Sequence, residues 1–540
     1  GLLSMLFISA GTAHAQLTWD GDTDNTWNDG TNWVGNPAAP VSGDSLIFGA
    51  GNEAILDNDV AADTAFQIEF NAADGYDLTG NRITLNNVPS VISQTAGSGT
   101  NTISLDILDT GVDTRITTDA GTLILAGALT GGRTLVTGGA GTLRLTNAAN
   151  DYNGTFILNG TVAFEADTLG TGDIRLGWNT GTGRLEYKGS GAGSVSNTVQ
   201  IGGNNTHTGG GIISNNSADN STLTFTGTNF NTFDAAGVTR DIEFNGASNI
   251  VVQGVIRDND NPVTLTKSGS NTLTLEGANT YTGATTVSGG ELVISGSNTA
   301  VNSYRSATTV ATGATLSLSS TGNINNNQAG MSIVLEDGST LQKTSLSTFV
   351  VLGAAGGGVT VDPGASVTIN DTGNAGANDG FFLDGGLKGS GTVTINASNA
   401  STGVNFRQNN STFAGTLIVN GIASTAVGAG SGIGVHGETT GLQNADIQLN
   451  GTMELKEDDS GLSWANSSDL ASTFQMGALS GSGVMVGNHN TAGGTASVTL
   501  GNTNNDGTFS GVIADGVNNV TSITKVGSGT QTFSGDNTYT

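Results

Sequence analysis

Gly290-Glu291-Leu292-Val293-Ile294 is followed by Ala314-Thr315-Leu316-Ser317-Leu318 and then by Ser339-Thr340-Leu341-Gln342-Lys343. The phrase continues through Ala365-Ser366-Val367-Thr368-Ile369, Gly391-Thr392-Val393-Thr394-Ile395 and Gly415-Thr416-Leu417-Ile418-Val419. Each copy is a small residue followed by alternating polar and aliphatic positions, which is the period of a β-strand with one face buried. The central aliphatic positions are 292, 316, 341, 367, 393 and 417, spaced by 24, 25, 26, 26 and 24 residues. An earlier stretch repeats the device at Leu123, Leu143, Val162 and Leu185, spaced by 20, 19 and 23. Strands of a globular sandwich follow one another at shorter intervals, whereas one motif returning at 20–50 residues signals stacked repeat units. The spacing predicts an all-β chain folded as a right-handed parallel β-helix, a β-solenoid with one coil per period. An isolated coil buries too few side chains to offset the backbone entropy lost on folding, so the coils must stack and share their ladders.

Composition agrees. The chain has 540 residues with 85 glycines, 5 prolines and no cysteine. Glycine suits the tight corners between short strands. The scarcity of proline suits strands whose amides are needed for ladders. Hydrophobic residues make up 36%, too many for a disordered polyanion. The absence of cysteine excludes disulfides, thiolate metal sites and cysteine nucleophiles. With a net charge of −29, the chain repels phosphate backbones, so no nucleic acid partner is expected.

Residues 1–15 form an apolar run ending in Ala13-His14-Ala15, the small-x-small pattern that precedes a signal peptidase cut. They are read as a partial signal peptide cleaved before Gln16, which places the mature chain outside the cytoplasm. Residues 16–60 hold Trp19, Trp27 and Trp33, three of the five tryptophans. They are read as an amino-terminal cap covering the open edge and apolar end of the first coil; the alternative use of these rings is an aromatic platform for glycans. Residues 61–540 are read as the β-solenoid repeat array.

A longer unit occurs twice, within 254–295 and within 511–540. Gly254-Val255-Ile256-Arg257-Asp258 leads to Lys267, Gly269, Leu273, Leu275, Gly277, Asn279, Tyr281 and Gly283. Gly511-Val512-Ile513-Ala514-Asp515 leads to Lys525, Gly527, Gly535, Asn537 and Tyr539, with 14 residues from lysine to tyrosine in both. Weaker echoes lie at Gly141-Thr142-Leu143-Arg144-Leu145 with Asn150-Asp151-Tyr152-Asn153-Gly154, and at Asn410-Ser411-Thr412-Phe413-Ala414-Gly415. This unit resembles the autotransporter-associated β-strand repeat, also called the passenger-associated transport repeat, of large secreted bacterial proteins. The resemblance implies a β-helical passenger of the pectin-lyase-like kind, exported across the inner membrane and displayed at or beyond the outer membrane. Its implied partners are the export machinery, an outer-membrane translocator, and a glycan or a ligand on a host or neighbouring cell. The last unit stops at Thr540, one residue short of the glycine that follows Thr282, so the array is read as ending mid-repeat.

Motifs for catalysis are sparse. His14, His207, His436 and His489 are scattered and show no H-E-x-x-H spacing, and no G-x-S-x-G elbow is present. Asp20, Asp22 and Asp24 offer the first three ligand positions of a calcium loop. Asn25 and Thr31, however, stand where an EF-hand needs glycine and glutamate. These aspartates are weak calcium candidates, and no other cofactor is expected. Arg257-Asp258-Asn259-Asp260 and Glu457-Asp458-Asp459 read as solvated turn carboxylates. The expectation is a non-catalytic secreted or surface-displayed passenger serving as stalk, adhesin or matrix scaffold. The alternatives are a carbohydrate-active β-helix (a polysaccharide lyase or hydrolase) and a spacer whose activity lies downstream.

Overall fold

The computed structural model describes residues 14–35, 38–49, 55–72, 75–85, 90–95, 97, 99–203, 209–227, 229–232, 237–259, 261–296, 306–319, 324–325, 332–344, 349–352, 357–372, 380–383, 385–397, 404–406, 412–421, 432–435, 441–455, 471–487, 495–516 and 520–540. Residues 1–13, and with them most of the predicted signal peptide, lie outside the described residues, as do His207, His436, His489 and Glu457-Asp458-Asp459. The described chain is all-β, with parallel strands stacked as a β-solenoid; its one short helix is a 3-10 turn at Gly30–Asn32. It divides into two compact units, residues 1–242 with 259–261, and residues 243–258 with 262–540.

In the first unit, strand Gln16–Trp19 pairs in parallel with Ser45–Phe48, which pairs with Gln67–Phe70 and so on to Asn229–Thr232. A second ladder runs from Ile55–Asn58 through Thr122–Leu125, Thr142–Leu145 and Gly160–Phe164 to Gly211–Asn215. Here the sequence spacing translates directly into register, because Leu123 lies against Leu143, Leu143 against Val162, and Val162 against Leu185. All four are buried. The ladder begins at Gln16, so the stretch read as a cap also contains coil strands.

In the second unit a ladder of twelve parallel strands runs from Ile250–Val252 to Gln531–Phe533. Leu292, Leu316 and Leu341 follow one another in register, as do Val367, Val393 and Leu417, and all six are buried. Between these runs the register differs from the expected spacing: Leu341 lies against Ile369, two residues beyond Val367. A slip of two keeps each side chain on its own face, whereas a slip of one would turn the aliphatic positions outward. The apolar pattern therefore tolerates either register. The long strand Gly358–Asp371 carries an irregularity between Val361 and Ala365 that absorbs the difference.

Candidate functional site

At the start of the first unit, the chain folds back so that Trp33 bridges Trp19 in antiparallel fashion, outside the first parallel strand. Val34 donates its amide to the Thr18 carbonyl at 2.8 Å, and Asp20 donates to Asn32 at 3.0 Å. Trp19, Trp27 and Trp33 are all buried. Trp19 and Trp33 meet edge to face at 5.2 Å, and Trp27 rests 5.6 Å from Phe48 and 5.9 Å from Phe66. Buried in this way, the three indoles offer no exposed ring face on which a sugar could stack.

The Asp24 carboxylate accepts from the Thr26 amide at 2.9 Å, the Thr26 hydroxyl at 2.8 Å and the Asn32 side-chain amide at 2.8 Å. These bonds hold its pKa below the usual carboxylate value. Asp24 is thus engaged in shaping its own turn. No group of three acidic or imidazole side chains converges to hold a metal ion among the described residues. Asp20, Asp22 and Asp24 form no such group.

The repeat residues do come together. Leu273 and Leu275 are buried and lie in register with Leu292 and Ile294. The Asn279 side chain accepts from the Ile256 amide at 2.8 Å, tying its turn to the preceding coil. Asn537 repeats the bond to Ile513 at 2.9 Å, and Asn150 makes it to Leu129 at 2.8 Å. Tyr281 is buried with its hydroxyl 2.8 Å from that of Thr285. Tyr152, likewise buried, has its pKa raised by desolvation. Tyr539 remains partly exposed. A Cβ on Gly277 would fall on the Gly254 carbonyl oxygen, and one on Gly535 would fall on that of Gly511. Gly269 and Gly527 sit at φ +72° and +68°, a conformation that side chains with a Cβ rarely adopt. Gly283 crowds the Val263 carbonyl.

Lys267 is the least expected member. It is fully buried, and its ammonium donates to the carbonyls of Ser268 at 2.7 Å, Gly269 at 3.1 Å and Gly289 at 3.0 Å. Two acceptors belong to its own turn and the third to the next coil, so the side chain is a clasp between coils. Desolvation lowers its pKa to about 8. Lys525 makes the same local pair of bonds, to Val526 and Gly527, but is exposed.

Asp258 is the residue that the motif reading missed. Far from being idly solvated, it accepts from the Val263 amide at 2.8 Å with one oxygen and from Thr282 with the other. Asp515 does the same with Thr521 and Thr540. The shared phrase Gly-Val-Ile-x-Asp was the available signal, since an aspartate kept at one offset from two equivalent turns marks a role in the turn.

The family model for the passenger-associated transport repeat matches residues 135–164, 265–294 and 523–540. Three stretches of the chain are thus similar to this transport repeat. Two of the three matches fall within the clearest units read from the sequence, and the third raises the echo around Leu143 to a full repeat. The chain is also similar to the adhesin BmaC autotransporter of Brucella suis biovar 1 (strain 1330), with 28% identity over 247 residues. That match covers 42% of this chain and 7% of the relative, so the chain spans a small part of the protein it resembles. No solved structure matches the chain. In all three transport repeats the same asparagine bond closes the turn onto the preceding coil.

Proposed function

We propose that this chain is part of a non-catalytic passenger, secreted or displayed at the cell surface, in which the solenoid serves as a stalk or adhesive scaffold. The observation that carries this reading is three stretches matching the transport-repeat model, in each of which an asparagine side chain joins one parallel coil to the preceding one. Similarity to part of an adhesin autotransporter supports it. Export machinery and an outer-membrane translocator are the partners such a passenger needs, and a glycan or protein on a host or neighbouring cell is the ligand class. Residues 16–60 act in this reading as the amino-terminal cap, because the buried indoles and the crossing segment 32–34 cover the outer side of the first strand. The strong negative charge keeps the polypeptide soluble and discourages self-association.

The test is localisation together with adhesion. Antibodies raised against the purified chain should label intact producing cells or their culture supernatant, and beads coated with the chain should adhere to cells better than albumin-coated beads. Confinement of the protein to the cytoplasm would sink the passenger reading. Release of reducing or unsaturated ends from a polysaccharide panel supplied with calcium would favour the enzyme alternative.

A further inference from the structure

One column of inward positions in the second unit departs from the aliphatic rule. Leu275 lies against Ile294, Ile294 against Leu318, Leu318 against Lys343, and Lys343 against Asp371, with Ala397 in register beyond. Leu275, Leu318, Lys343 and Asp371 are all buried. The Lys343 ammonium nitrogen is 3.5 Å from Asp371 Oδ1, and both side chains are shut off from solvent, at 0% and 1% exposure. The ion pairs Arg82–Asp63 and Arg144–Glu165, by contrast, are partly open to water.

We propose that Lys343 and Asp371 are the two ends of an intramolecular isopeptide bond that covalently joins adjacent coils. Burying two charges costs much of what their attraction returns. The forms that react are the neutral amine and the neutral acid. Proton transfer from the ammonium to the carboxylate produces them. The amine lone pair then adds to Cγ of Asp371, so that the Nζ–Cγ bond forms and a Cγ–Oδ bond breaks. The departing hydroxyl takes a proton from nitrogen and leaves as water. No oxidant, reductant or further reactant enters, and the product is a neutral amide in an apolar column. The fold supplies proximity, because ladder register holds the two side chains side by side on neighbouring strands.

A peptide map of the purified, folded full chain tests the proposal. The expected result is a branched peptide joining Lys343 to Asp371, lighter than its two linear parts by one water, with trypsin unable to cut after Lys343. Lys343→Arg and Asp371→Ala should each give linear peptides of full mass from both segments. Recovery of wild-type Lys343 and Asp371 in linear peptides of full mass would overturn the proposal, and so would a water loss that maps to other residues or persists in either variant. Should a variant fail to show a β-type circular dichroism spectrum, the wild-type map alone decides.

Discussion

One carboxylate oxygen of Asp258 receives both the backbone amide and the hydroxyl of Thr282, at 3.0 and 2.6 Å, across 24 residues of chain. Its other oxygen holds the Val263 amide at 2.8 Å. A single side chain thus closes its own turn and fastens the corresponding turn of the next coil. Replacing Asp258 by alanine should cost about 1.5–3 kcal/mol, the range for hydrogen bonds to a charged group. Asp258→Asn should recover part of that loss, since its carbonyl can still accept. Urea midpoints of the two variants would check this; equal loss in both would assign the effect to charge and not to bond geometry.

Gly277 and Gly313 separate two reasons for glycine. At Gly277 an added methyl would strike the Gly254 carbonyl. Gly277→Ala should therefore destabilise by about 1–3 kcal/mol, as overpacking does. Gly313 has φ +72° with nothing near its Cβ position. There alanine should cost only the left-handed backbone penalty, about 1–2 kcal/mol, and Gly313→Asn should cost less still. Thermal unfolding of the three variants measures the contrast.

Lys267 should give the second unit a characteristic alkaline response. Its folded pKa is about 8 against an ordinary 10.5. Between those values the unfolded chain binds the proton more tightly, so stability rises with pH across the window and is level with respect to this group below it. Subtracting the curve of Lys267→Met from that of the wild type isolates the effect, expected at about 1–3 kcal/mol between pH 8 and 10.5. A wild-type advantage that falls with pH in this window would contradict the desolvated ammonium.

Trp27 is fully buried between Phe48 and Phe66 and beside Trp33, whose indole nitrogen donates to the Trp27 carbonyl at 3.0 Å. Trp27→Ala should cost about 3–5 kcal/mol. Because stability in a solenoid is built from neighbouring coils, the loss should be concentrated at the amino-terminal end. Hydrogen exchange should show faster exchange in strands Gln16–Trp19 and Ser45–Phe48 than in Thr272–Leu275. Uniform acceleration of all three would argue against a local cap.

Much of the fold was legible because a parallel ladder imposes its period on the chain: each coil must return an aliphatic residue to the same face at the same point. Leu292, Leu316 and Leu341 could be aligned by counting, and so could Leu123, Leu143, Val162 and Leu185. The transport repeats were legible for the same reason, as Lys267, Asn279 and Tyr281 recur at fixed offsets. What those residues do was less visible. The acceptors of Lys267 are backbone carbonyls, which have no signature in a sequence, and Asp258 looks like any turn carboxylate until Thr282 is set beside it.

Sequence alone thus determined the strand period, the buried face and the recurring motif, because these depend on alternation and recurrence along the chain. Only the tertiary structure decided which even-numbered register each coil adopts. Counting from Leu341 to Val367 would have placed Ile369 opposite Lys343. The observed pairing of Leu341 with Ile369 instead sets Asp371 there. A shift of two residues leaves every apolar side chain on its proper face, so the pattern is blind to it. The register irregularity between Val361 and Ala365 in strand Gly358–Asp371 accompanies the choice, which brings a buried lysine against a buried aspartate.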